Sequence, residues 1–170
     1  PSEQTRFTDG QIERQKVAIT HQLEAIRETP SNTRDGRHII LSANIELPSE
    51  LDAVTSSGAE GIGLFRTEFL FLNKAVPPSE DEQYESYKIV AERCMPHSVI
   101  IRTLDIGGDK LMHLADQTSE DNPFLGCRAI RLCFAQPELF KAQLRAILRA
   151  GAHGHMRLMY PMIGQAEELR

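Results

Sequence analysis

Short apolar runs alternate with amphipathic stretches along most of this chain. Residues 38–45 (HIILSANI), 61–66 (GIGLFR), a run beginning near Ser98 (SVIIR) and 156–162 (MRLMYPM) read as four strands, each too short for a helix and bounded by turn residues. Between them lie helices with their own start and stop signals. Pro48 suits a first helical turn, Leu51 and Val54 form its short apolar face, and Gly58 stops it. Ser79-Glu-Asp-Glu82 is a capping box opening a helix to about Cys94, with Tyr84, Tyr87, Ala91 and Cys94 inward. A helical piece is expected around Cys127–Phe134. Pro137 opens another helix, with Leu139, Phe140, Leu144, Ile147 and Leu148 inward and Gly151 at its end. Gly164 begins a last one. Ahead of all this, Thr8 or Asp9 caps a charged helix to about Glu28, with Ile12, Ile19, Leu23 and Ile26 on one face.

The predicted order is β-α-β-α-β-α-β-α, the pattern of parallel strands joined by helices. Four such units make half of a (β/α)8 TIM barrel, which takes roughly 250 residues when whole. An open, flavodoxin-like four-stranded sheet is the competing architecture.

Composition narrows the partners. At 170 residues the chain has room for one domain or for part of a larger one. A net charge of −5 argues against a nucleic-acid footprint, which shows as a basic excess. No apolar run approaches the ~20 residues of a membrane helix, so no membrane insertion is expected. Cys94, Cys127 and Cys133 are an odd, unpatterned set, which favours reduced thiols and a cytoplasmic location.

Positive charge is local instead of global. The stretch 58–72 runs from a glycine turn into a strand and delivers Arg66 at the strand's carboxyl end, where α/β proteins place ligand contacts. The next strand ends the same way, in Arg102, followed by Gly107-Gly108-Asp109-Lys110. Arg128 and Arg131 come from the segment after that loop. Guanidinium groups at strand ends, with a lysine beside a Gly-Gly turn that can form a backbone nest, suit a small polyanion carrying carboxylate and phosphate. Each residue also has a plainer reading. Arg66 could pair structurally with Glu60 or Glu68. Asp105 and Asp109 fit orienting arginines or capping the turn better than binding metal. The six histidines (21, 38, 97, 113, 153 and 155) fit surface or packing roles, and Cys127 fits a packing thiol. The arginines are expected to face a wet mouth, contributing to binding far more than to folding.

In this order and spacing, GAEGIGLFRTEFLF (58–71), IIRTLDIGGDK (100–110), NPFLGCRAIR (122–131) and LMYPM (158–162) resemble the phosphoenolpyruvate-binding domain of the enzyme I family of the bacterial sugar phosphotransferase system. Pyruvate phosphate dikinase and phosphoenolpyruvate synthase are more distant members of that superfamily. The resemblance implies a linker helix over residues 1–33, then the N-terminal half of a TIM (β/α)8 barrel over 34–170. It implies phosphoenolpyruvate as substrate, bound by Arg66, Arg102, Arg128 and Lys110. It also implies phosphoryl transfer to a histidine and onward to a histidine-containing phosphocarrier protein, through an N-terminal domain not present here. Mg2+ is implied as cofactor, with ligands expected beyond Arg170, so that no catalytic or metal residue is expected within this segment and the segment alone is expected to be inactive. Association into a homo-oligomer is implied as well. A half-barrel would moreover leave two sheet edges open and expose Met156, Leu158, Met159, Tyr160 and Met162. Cys127 departs from the bulky aromatic residue usual before the arginine. A non-catalytic anion-binding or regulatory half-barrel, acting through protein contacts, is the alternative function.

Overall fold

Parallel strands form where the apolar runs meet one another side by side. They are β1 (Ala43–Ile45), β2 (Ile62–Arg66), β3 (Ser98–Arg102) and β4 (His155–Met159), arranged in the order β1-β2-β3-β4. This is a computed structural model, describing Ile12, Lys16, Val17, residues 19–72, Lys74, residues 76–107 and residues 126–170. The chain separates into two compact units, Pro1–Ile40 and Leu41–Arg170.

In the larger unit each crossover contains a helix. The first is α1 (Leu51–Ser57), entered through a 3-10 turn at Pro48–Glu50 and closed by Gly58 in the left-handed conformation at φ 77°. The Glu50 carboxylate accepts from the Glu46 and Leu47 amides, at 2.7 and 2.8 Å, which holds its pKa below the usual carboxylate range. The second is α2 (Glu80–Cys94), whose predicted capping box is present. Ser79 Oγ accepts from the Glu82 amide at 3.2 Å, and Glu82 returns the bond to the Ser79 amide at 2.8 Å. Then come α3 (Ile130–Ala135) and α4 (Pro137–Ala150). A β-carbon at Gly154, where the chain enters β4, would stand 2.5 Å from the Ala91 carbonyl oxygen. The backbone of α2 therefore packs directly on that glycine.

Two apolar clusters result. One joins Ile45, Ile62, Phe65, Val99 and Ile101 of the sheet to Tyr87, Val90, Ala146 and Ile147 of α2 and α4. The other gathers Phe71, Leu104, Ile106, Ile130, Leu132 and Cys133 beyond the strand ends. Burying a large aliphatic or aromatic side chain contributes about 1.5–3 kcal/mol, so these clusters fix where the strand ends sit.

Several expectations need correction. Residues 38–42 are not strand. His38 forms an antiparallel bridge with Asn32, and the Ile39 amide donates to the Ser31 carbonyl at 2.7 Å, which commits these two within the smaller unit, while the Leu41 carbonyl accepts from the Glu60 amide at 2.7 Å in the larger one. Ile39, Ile40 and Leu41 are exposed in consequence. The last strand stops at Met159, and the chain turns through Pro161 and Met162. Met156 and Leu158 pack on the first cluster and Tyr160 on the second, leaving only Met159 and Met162 of that predicted surface exposed. In α4, Leu148 points outward and Gln143 takes a wholly buried position. The last element is a 3-10 turn, Ala166–Leu169. The loop expected over 105–121 is described only as far as Gly107, so Lys110 lies outside the described residues.

Candidate functional site: a charge-matched row at the strand ends

The strands are parallel, and β2, β3 and β4 meet in register at their carboxyl ends. Arg66 pairs in register with Arg102, and Arg102 with Met159, which places both arginines side by side at the carboxyl edge. Arg128 arrives from the turn before α3. The residue after it, Ala129, is wholly buried at φ 52°, unusual for a residue with a β-carbon, and its amide donates to the Ile106 carbonyl at 3.3 Å.

Each guanidinium meets a carboxylate. Arg66 Nη1 donates to Glu46 Oε1 at 2.9 Å. Arg102 Nη2 donates to Glu68 Oε1 at 3.0 Å, and its Nη1 lies 3.2 Å from Asp105 Oδ2. Arg128 Nη2 donates to the other Asp105 oxygen, Oδ1, at 2.9 Å. Asp105 thus bridges two arginines. Glu68 does not pair with Arg66; it serves Arg102, and Arg66 takes Glu46. Three cations face three carboxylates, so this cluster carries no net charge of its own.

Burial separates the arginines into two kinds. The side chains of Arg102 and Arg128 are 19% and 22% exposed, against 43% for Arg66. The expectation of a uniformly wet mouth holds for Arg66 and fails for the other two. Arg102 Nε and Arg128 Nε are buried and find no acceptor among the described residues, nor do Glu68 Oε2 and Thr103 Oγ1 find a partner. A buried donor left unpaired costs about 1–3 kcal/mol. Two charged donors in that condition lie on neighbouring side chains that share Asp105.

Behind the row runs a buried polar chain that sequence reasoning missed. Gln143 Oε1 accepts from the Leu104 amide at 2.9 Å, while its Nε2 donates to Thr67 Oγ1 at 3.1 Å and to the Tyr87 hydroxyl at 3.3 Å. Thr67 donates onward to the Arg102 carbonyl at 2.9 Å. Tyr87 donates to Gln83 Oε1 at 3.0 Å. Burial pushes the Tyr87 phenol well above its ordinary pKa, so it stays a neutral donor. Thr67 and Glu68 stood inside the quoted motif and were legible there; Gln143 and Gln83 carried no signal beyond helical spacing.

The histidines flanking the strands sit elsewhere. His97, His153 and His155 lie at the amino ends of β3 and β4, roughly 16 Å from the arginines across a five-residue strand. His153 is engaged there by the Tyr84 hydroxyl at 2.9 Å and by Glu92 at 3.2 Å. Among the described residues no group of three His, Cys, Asp or Glu could hold a metal ion, and the row's carboxylates are taken by guanidinium groups. Mg2+ does not fit these residues. No described helix is long and apolar enough to cross a membrane.

Cys127 is half-buried against the second cluster. Cys133 lies within it, its thiol 3.9 Å from the Leu104 carbonyl and pushed up to about 12 by burial, with Asp105 adding to the shift; burial also raises Cys94. Since the thiolate is the nucleophile, Cys133 at pH 8 is ~10⁻⁴ ionised. Folded protein is expected to leave Cys94 and Cys133 unlabelled by iodoacetamide for hours at pH 8, with both labelled at once in denaturant. Mass spectrometry checks this, and rapid native labelling of Cys133 would contradict the packing described.

Parallel strands joined by helices, with paired guanidinium groups at their carboxyl edge, define an α/β domain. Residues 20–170 match the family model described as PEP-utilising enzyme, PEP-binding domain, and the chain belongs to that family. Among curated proteins it is 50% identical over 149 residues to the phosphoenolpyruvate-protein phosphotransferase of Staphylococcus carnosus, covering 88% of this chain and 26% of that one. It is 48% identical over 147 residues to the protein of that name from Listeria monocytogenes (86% and 26%). The Bacillus subtilis protein of that name is 48% identical over 141 residues (83% and 25%). The chain therefore spans about a quarter of the length of these relatives.

Proposed function

We infer that this chain supplies the phosphoenolpyruvate-binding segment of a phosphoenolpyruvate-protein phosphotransferase, which passes the phosphoryl group to a histidine and then to a histidine-containing carrier, leaving pyruvate. The observation that carries the reading is the pair of buried guanidinium Nε groups of Arg102 and Arg128, without an acceptor among the described residues, beside the more open Arg66. Planar guanidinium groups bind carboxylate and phosphate through paired hydrogen bonds, and fixed cations stabilise a phosphoryl group in transfer. The charge balance adds a condition. A multiply charged anion gains net attraction only if an arginine leaves its carboxylate or a further cation joins. Arg66 is the arginine free to turn, being the most exposed, and Lys110 of the adjoining loop is the candidate further cation.

The sequential strand order supports the half-barrel over a doubly wound sheet, in which the order reverses at a switch point. A linker role for residues 1–33, a cytoplasmic setting and assembly as a homo-oligomer belong to the same proposal. So does Mg2+, as a requirement of the whole protein met by residues outside this segment.

The test is pyruvate release from phosphoenolpyruvate by the intact polypeptide with Mg2+ and carrier protein. The 170-residue chain alone is expected to release none, because its described residues offer no metal cluster and the strand-flanking histidines stand at the wrong end of the sheet. Mg2+-dependent turnover by the purified chain would overturn this reading of the segment as one part of the machinery.

A further inference from the structure

We propose that Glu68 is the positioning residue of the anion site, setting the orientation of Arg102 directly and of Arg128 through Asp105. The proposal rests on the functional reading above and adds a residue to it. Glu68 opens the 3-10 turn Glu68–Leu70, immediately past β2, and is 9% exposed. A carboxylate so placed must be held by donors, and the way it is held is asymmetric. Oε1 accepts twice, from Arg102 Nη2 and from the Asp105 amide, both at 3.0 Å, while Oε2 has no partner among the described residues.

The two bonds on Oε1 have different consequences. The first fixes one terminal nitrogen of Arg102. Asp105 fixes the other through Nη1, so the guanidinium plane is defined by two carboxylates at once and the direction of its Nε–H follows. The second holds the backbone of Asp105, whose side chain reaches Arg102 with Oδ2 and Arg128 with Oδ1. One oxygen atom of Glu68 is therefore the junction between the end of β2, the residues after β3 and both half-buried arginines. Support of this kind, one layer behind the groups that touch a ligand, holds them in productive geometry. Arg66 lies outside this arrangement, since its carboxylate is Glu46.

Steady-state kinetics of the intact phosphotransferase, measured as pyruvate release per folded molecule, test the idea. Glu68→Ala is expected to raise KM for phosphoenolpyruvate ~10-fold and to lower kcat. Glu68→Gln keeps an acceptor oxygen for both donors and is expected to restore KM to within ~3-fold of wild type. In an Arg102→Ala background, Glu68→Ala is expected to lower kcat/KM by a smaller factor than in the wild type, because only Arg128, held through Asp105, is left for it to position. Should Glu68→Ala fail to fold, Glu68→Asp carries the test: it keeps the charge, draws the carboxylate back by one methylene, and is expected to raise KM ~5-fold. A folded Glu68→Ala or Glu68→Asp with wild-type KM, or additive losses in the double variant, overturns the positioning role while leaving the anion site standing. Wild-type kinetics in Arg102→Ala would instead remove the site reading itself.

Discussion

On the proposed function, replacing Arg102 by alanine in the intact protein is expected to lower kcat/KM for phosphoenolpyruvate by at least ~2 kcal/mol, about 30-fold, on the scale of lost charge-assisted contacts. It is also expected to destabilise the fold. Arg102 is the charge partner of two carboxylates that are 11% and 14% exposed. Removing one member of a buried pair costs about 3–5 kcal/mol because the other charge stays buried. Partial exposure and the remaining Arg128–Asp105 contact reduce this to about 2 kcal/mol. Arg66→Ala separates the two effects. Its pair with Glu46 is 43% and 36% exposed, and pairs of that kind contribute about 0–1 kcal/mol. Arg66→Ala should therefore lose activity with little change in midpoint of unfolding, while Arg102→Ala loses both. Arg102→Lys keeps the charge but not the planar fork, so it is expected to recover stability in part and kinetics hardly at all. Denaturant titration and pyruvate assays on the same preparations decide. A well-folded Arg102→Ala protein with wild-type kinetics would end the assignment of this site.

The split between these arginines marks where sequence reading stops. Strand-end position was legible, because an apolar run ending in arginine at a parallel edge has few interpretations, and Arg66 and Arg102 do stand in register. Caps were legible for a similar reason, since Ser79 and Glu82 act across three residues of one helix. Partner choice was not. Glu60 and Glu68 lie near Arg66 in sequence, yet its partner is Glu46, twenty residues away, and the turn after β2 is what hands Glu68 to Arg102. Residues 38–42 misled for the opposite reason. Their apolar run satisfies a strand pattern, yet the pattern does not say whose backbone will take the hydrogen bonds: Ser31 takes the Ile39 amide and Glu60 takes the Leu41 carbonyl.

Gln143 shows the same limit inside the core, and it carries the second large effect expected here. Apolar periodicity put leucine on the inner face of α4, but this glutamine takes one of its fully buried positions while Leu148 faces out. Gln143→Leu keeps volume and removes three hydrogen bonds. Thr67 still donates to the Arg102 carbonyl and Tyr87 still donates to Gln83, so both hydroxyls keep a partner. The Leu104 amide does not, because Gln143 is the acceptor that holds it. One wholly orphaned backbone donor plus the lost bonds should cost about 2–3 kcal/mol, or roughly 5–10 °C in Tm for a domain of this size. Tyr87→Phe leaves the Leu104 amide paired and should cost about 1 kcal/mol. Leu104 lies between Arg102 and Asp105, and Thr67 between Arg66 and Glu68, so slack at Gln143 is released into the arginine row. KM for phosphoenolpyruvate should rise in Gln143→Leu and stay near wild type in Tyr87→Phe. Urea titration should show a lower midpoint at unchanged m. A Gln143→Leu protein as stable as wild type would mean that this buried chain does not hold the strand ends.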